Sequence, residues 1–166
     1  MKFPLWLMFF LLTGCALKKI RHHLIHRQKK PAGLIKLLSD DHAINYADLR
    51  MVSMYQGNSH LRRFYTINNY KETKRISSQP PVYVNSSRMI NVINCDKNQR
   101  SVMGWTLFTK PYAEGDIIYA KPDIGQWESF PPKSIIGMLA QLVCKIPADR
   151  LNPEPGQDIR KPLLDN

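Results

Sequence analysis

The chain has 166 residues, 43% of them hydrophobic, with 24 lysines and arginines against 13 acids and a formal net charge of +11. That composition excludes wholesale disorder and leaves room for one domain with a packed core. The excess charge sits early: Lys2, Lys18, Lys19, Arg21, Arg27, Lys29, Lys30 and Lys36 all precede the first acid, Asp40, whereas residues 37–166 carry 16 basic and 13 acidic side chains. The globular part is nearly balanced, so the high pI is no argument for nucleic acid, and none is expected as a partner.

The chain opens with Lys2 and an apolar run over residues 3–12, closing on Leu11-Leu12-Thr13-Gly14-Cys15. One base, an h-region and two small residues before a cysteine read as a secretory signal with a lipobox. A signal peptide over residues 1–14 and lipid attachment at Cys15 are therefore expected. The rival is an uncleaved membrane helix, but residues 3–17 reach only about 22 Å against a hydrocarbon core of about 30 Å. Lys18, Lys19 and Arg21 argue the other way, because bases directly after the run match a cytoplasmic flank. In bacterial lipoproteins, alanine rather than aspartate after the cysteine, here Ala16, implies sorting to the outer membrane. The expected anchor is thus a set of acyl chains, palmitate among them, with the domain on the periplasmic or the cell-surface face.

Residues 15–33 read as a basic tether spanning roughly 20–25 Å on average and drawn to anionic lipid. His22, His23 and His26 have a spacing that suits a shared ion on a helix, yet no carboxylate or thiolate stands nearby, so no metal is expected. Beyond the tether, residues 34–38 fit either a strand or a helical turn. Residues 43–46 and 49–54 read as extended pieces separated by Ala47-Asp48. A turn at Gln56-Gly57-Asn58-Ser59 predicts a hairpin into a strand over residues 61–70, rich in Phe, Tyr, Thr and Ile. The polar residues 71–81, ending in Pro80-Pro81, read as a loop. Strands are expected at residues 82–84, 86–95, 102–109 and 117–120, with turns at Asp96-Lys97-Asn98-Gln99 and Gly115-Asp116. A last extended piece covers residues 127–132. Ile135, Met138, Leu139, Leu142 and Val143 then recur at three and four after Ser134, which predicts a helix ending at Cys144. Residues 147–166, with four prolines, read as a flexible tail.

If Cys15 is lipidated, Cys95 and Cys144 remain. In an exported compartment an even remainder reads as one bridge, worth roughly 3–4 kcal/mol on the loop-entropy account. The alternative is two buried thiols in a cytosolic protein.

The motifs also occur in a telling order: Asn68-Asn69-Tyr70, Ser86-Ser87-Arg88, Asn94-Cys95-Asp96, Gly115, Trp127-Glu128, Pro131-Pro132-Lys133-Ser134 and a helix closing on Cys144. With the lipobox, this order resembles the surface-adhesin protein E family of small bacterial lipoproteins, over roughly residues 34–146. The resemblance implies an α+β domain, an antiparallel β-sheet of about six strands with one C-terminal α-helix packed on it, the helix cysteine bridged to a strand. It also implies host matrix or serum proteins as partners and a homodimer. The tether and the tail fall outside it.

Two functions are weighed. The first is an adhesin-like lipoprotein whose domain binds protein or glycan at the cell surface. Its candidate contacts are Arg62, Arg63, Lys71, Lys74 and Arg75 on basic loops beside Tyr65 and Tyr70. The plainer account of those residues is a solvated strand edge guarded by charge. The second is a periplasm-facing accessory lipoprotein, such as a lysozyme-inhibitor-like or envelope-assembly module. No enzyme and no cofactor are expected, since Asp96, Glu128, His42 and His60 form no nucleophile–base spacing and no glycine-rich phosphate loop occurs. Asn85-Ser86-Ser87 matches a glycosylation acceptor by chance.

Overall fold

The computed structural model describes residues 28–122, 125–156 and 160–164. The signal-like run, Cys15, the three clustered histidines and most of the tether lie outside the described residues. The sheet and helix belong to one compact unit, Pro31–Asn166, distinct from Met1–Lys30.

Among the described residues the strands are β1 (Leu34–Ser39), β2 (Ala43–Tyr55), β3 (Asn58–Ser78), β4 (Pro81–Asn94), β5 (Gln99–Phe108), β6 (Ile117–Pro122) and β7 (Glu128–Ser129), followed by the helix α1 (Ile135–Cys144). β1 to β6 pair in chain order as an antiparallel meander, and β7 joins β5. β7 takes the Gln99–Arg100 end of β5, while β6 pairs with the opposite end from Gly104 onward.

Local chemistry sets the turns. Between β1 and β2, Asp40 Oδ1 accepts from the backbone N–H groups of His42 and Ala43, both at 2.8 Å, an Asx turn. Those two bonds also hold the Asp40 carboxyl below its ordinary pKa, Ala43 contributing most. The β2–β3 hairpin closes on Gln56 and Gly57, both with positive φ, as a two-residue loop matching strand twist requires. Asn94 Oδ1 caps the β4–β5 turn by accepting from Asp96 and Lys97 N–H groups.

Three expectations are corrected. Residues 71–81 are not a loop: β3 runs on to Ser78 and pairs with the start of β4, Lys74 opposite Val84 and Ser77 opposite Val82. Their polar composition reflects a hairpin in which β4 supplies the apolar side, Val82 and Val84 packing with Ile118. Ala47-Asp48 does not interrupt β2; the irregularity falls between Asp48 and Ser53. Among the described residues beyond Pro147, Asn152, Leu163 and Leu164 are tied to the sheet rather than loose. Asn152 bonds Val52 and Arg50 carbonyls of β2 through its backbone and side-chain amides, and the N–H groups of Leu163 and Leu164 donate to Ile117 and Ile118 at 2.9 Å. Proline favours extended backbone, and extended backbone can dock on a sheet.

Helix α1 starts where Ser134 Oγ accepts from the Gly137 N–H at 3.1 Å while donating to the Pro131 carbonyl at 2.7 Å, an N-cap. Gly137 has no room for a side chain, since a Cβ there would lie 2.5 Å from the carbonyl oxygens of Pro131 and Pro132. Leu139, Ala140 and Val143 pack on Ala47, Val52, Phe64 and Ile93 of the sheet, each fully buried large side chain contributing about 1.5–3 kcal/mol. Cys144 is bridged to Cys95, with Cα atoms 5.7 Å apart, so the helix is fastened to the residue just after β4.

Candidate functional site

Residues directly opposite one another in an antiparallel pair share a face. Tyr46 lies opposite Ile67 and Ile67 opposite Arg88, while Asp48 lies opposite Tyr65. These five side chains therefore stand on the face away from α1, where Leu34, Tyr46 and Ile67 form a small cluster covered by Tyr112 and Ala113.

The cover is the β5–β6 loop, and buried polar residues of the sheet hold it. Asn69 Oδ1 accepts from the Tyr112 N–H at 2.6 Å. Ser86 Oγ accepts from the Ala113 N–H at 3.0 Å and donates to the Lys110 carbonyl at 2.6 Å. Asn85 Nδ2 donates to the Thr109 carbonyl at 2.7 Å, and Thr73 Oγ1 donates to Asn85 Oδ1. Asn69, Asn85 and Ser86 are all buried, so the sheet end of each of these bonds is shielded from water. They hold Tyr112 and Ala113 at φ of 61° and 60°. Two successive non-glycine residues in the left-handed region cost about 1–3 kcal/mol each, and the network sustains them.

Beside this loop opens a cleft of about 230 Å³ lined by Pro31, Asp48, Arg50, Tyr65, Arg88 and Tyr112, among others. Asp48 is buried and accepts a side-on pair of bonds from Arg50, Nε at 2.8 Å and Nη2 at 2.6 Å, a geometry that fixes the guanidinium plane. The bond to Asp48 raises the Arg50 pKa. Burial first, and then the neighbouring Tyr46, push the Tyr112 phenol up; the two rings meet edge-on at 5.7 Å.

Guanidinium groups and rings alternate across the strands next to the cleft. Arg63 and Arg88 lie 4.8 and 4.6 Å from the Tyr65 ring centroid, Arg88 also sits 5.2 Å from that of Phe108, and Arg160 lies 5.7 Å from Phe108. Such contacts are worth about 0.5–2 kcal/mol each.

The expected contact residues divide three ways. Arg62 and Arg63 are not on exposed loops; both are buried within β3. Consecutive strand residues point to opposite faces. Arg62 lies opposite Ile93 on the helix side and donates through Nη1 to the Ser59 carbonyl at 2.5 Å and through Nη2 to the Ile146 carbonyl just beyond α1. A cation there suits the helix C-terminus, and burial lowers its pKa. Arg63 joins the stack on Tyr65. Lys71, Lys74 and Arg75 are exposed on the far part of β3 and do not line the cleft. His60 and Asp96, far apart in sequence, meet as an exposed pair at 2.8 Å, a kind of contact worth little. Asn85 is buried with its amide engaged, which removes it as a glycosylation acceptor. Among the described residues no cluster of ligands could hold a metal, and no helix is long and apolar enough to cross a membrane.

Fold and site together define a class: a single-sheet α+β domain with a disulfide-fastened helix on one face and a polar-pinned loop on the other. A family profile described as Surface-adhesin protein E matches residues 34–145, and the chain belongs to that family. Its fold is similar to solved structures of Haemophilus influenzae protein E. One has 16% identity and a TM-score of 0.56, covering 75% of this chain and 92% of that one. Protein E from non-typeable Haemophilus influenzae has 17% identity and a TM-score of 0.55, with 70% and 78% covered. At such identities the likeness carries the fold.

Proposed function

We propose that this chain is an outer-membrane lipoprotein, attached through acyl chains on Cys15, whose small β-rich domain binds a protein or glycan partner outside the cell and performs no catalysis. Family membership supports an extracytoplasmic, surface location in broad terms. The Cys95–Cys144 bridge is in keeping with an oxidising compartment. The observation that carries the binding half of the reading is the cleft beside a loop whose strained conformation is held by three buried polar side chains. Strain sustained by surrounding structure collects where a protein recognises something. Host matrix and serum proteins are the partner class to test first.

The experiment is the intact mass of the membrane-extracted protein beside Cys15→Ser, together with protease shaving of intact cells. The expected result is a mature chain starting at Cys15 with acyl chains, lost in the variant, and a domain that shaving removes. An uncleaved chain would contradict the anchor. A lipidated chain resistant to shaving would move the domain to the periplasmic face and favour an envelope accessory role.

A further inference from the structure

We propose that the cleft beside the β5–β6 loop is a carboxylate pocket that receives one acidic side chain of a partner peptide. It deepens the reading above and depends on it only for the partner being a protein.

Size narrows the ligand first. At about 230 Å³ the cleft falls below the range of about 300–1,000 Å³ typical of small-molecule and cofactor sites, and it matches a single side chain. Charge narrows it next. Arg50 and Arg88 line the cleft with Asp48 and Glu114, a balanced set, and Arg63, outside the lining but 4.8 Å from the Tyr65 ring centroid, adds one positive charge nearby. Asp48 occupies Nε and Nη2 of Arg50, and a guanidinium has five N–H donors, so donors on Nη1 lie outside that pair. The Arg50 side chain is 45% exposed, which puts them within reach of an entering group. Stacked on the Tyr65 ring, Arg63 is buried at 8% exposure, and its Nη1 has no hydrogen-bond partner among the described residues. A buried cation short of partners favours an anion nearby.

The remaining walls discriminate between sources of a carboxylate. Pro31, Met51, Ile67 and Ala113 offer apolar surface to the methylene stem of glutamate. The same surface would leave the ring hydroxyls of a sugar acid without partners, at a cost. The loop network holds Tyr112 and Ala113 in place before any ligand arrives, so little ordering is left to do on binding.

The test titrates the full detergent-extracted chain with a fluorescent, extended Gly-Ser peptide carrying one central glutamate, read by anisotropy. The same peptide with glutamine, and free glucuronate, are the comparisons. The expected result is binding of the glutamate peptide about tenfold tighter than its glutamine twin, as charge-assisted hydrogen bonds warrant. Arg88→Gln should erase that preference. Because Arg88 also stacks on Tyr65 and Phe108, its melting temperature is recorded. The exposed Glu114→Gln, which removes a like charge from the rim, keeps the test open should Arg88→Gln unfold: it should tighten the glutamate peptide severalfold. Equal affinity for the two peptides, or no response to Glu114→Gln, overturns the proposal, as does glucuronate binding where the peptide does not. Failure of the surface reading would appear in the mass and shaving experiments and leave the peptide titration untouched.

Discussion

On one face of the sheet Val52, Phe64 and Ile93 meet the apolar side of α1, whose last residue is bridged to Cys95. On the other, Tyr46 and Ile67 meet a loop held by Asn69, Asn85 and Ser86. Both arrangements cover an open sheet, yet they differ in kind. Apolar burial has no direction and scales with area, so the helix face contributes stability and tolerates repacking. Buried hydrogen bonds act over fixed distances and angles, so the loop face contributes a particular geometry. On the proposed reading, stability and recognition fall on opposite sides of one sheet.

Breaking the helix face should produce the largest stability effect. Replacing Cys95 and Cys144 by serine should cost roughly 3–4 kcal/mol, measured by denaturant unfolding. Peptide binding at the cleft should be unchanged well below the new midpoint. If the cleft lost its ligand at once, the two faces would not be separable. A smaller effect is expected on the loop face. Asn69→Ala leaves the half-buried Tyr112 N–H without its acceptor and should cost about 0.5–1.5 kcal/mol. Binding should suffer more than stability, because Tyr112 and Ala113 are then free to leave the left-handed region. Undiminished peptide affinity in this variant would show that the loop's conformation does not matter to the cleft.

The helix face was the more legible of the two in the sequence. The three-four repeat, the Ser134 start and Cys144 gave α1 directly, because amphipathic periodicity and capping are local properties. Alternation and turn residues located most strands for the same reason. The loop face was hidden. Nothing local marks Tyr112 and Ala113 for positive φ, and Asn69 and Ser86 looked like ordinary polar strand residues until β3 and β4 brought them under the loop. Two signals were present without their meaning: Asn68-Asn69-Tyr70 and Ser86-Ser87-Arg88 are the stretches that supply two of the three pins and a cleft arginine. Counting charge pointed instead to Arg62 and Arg63, because composition does not reveal that a cation is buried. The stretch 71–81 was misread because a hairpin with one apolar strand needs no apolar residues in the other.

The helix also presents a rival surface: Ile135, Met138 and Leu142, at 37%, 53% and 52% exposure, line its outer side. The most direct measurement sets the two faces against each other, using immobilised matrix and serum proteins and the full chain carrying either Arg88→Gln or Met138→Ser. The account predicts that the arginine variant loses whatever partner the wild type binds while the methionine variant keeps it. Loss with Met138→Ser and retention with Arg88→Gln would contradict it and transfer recognition to the helix.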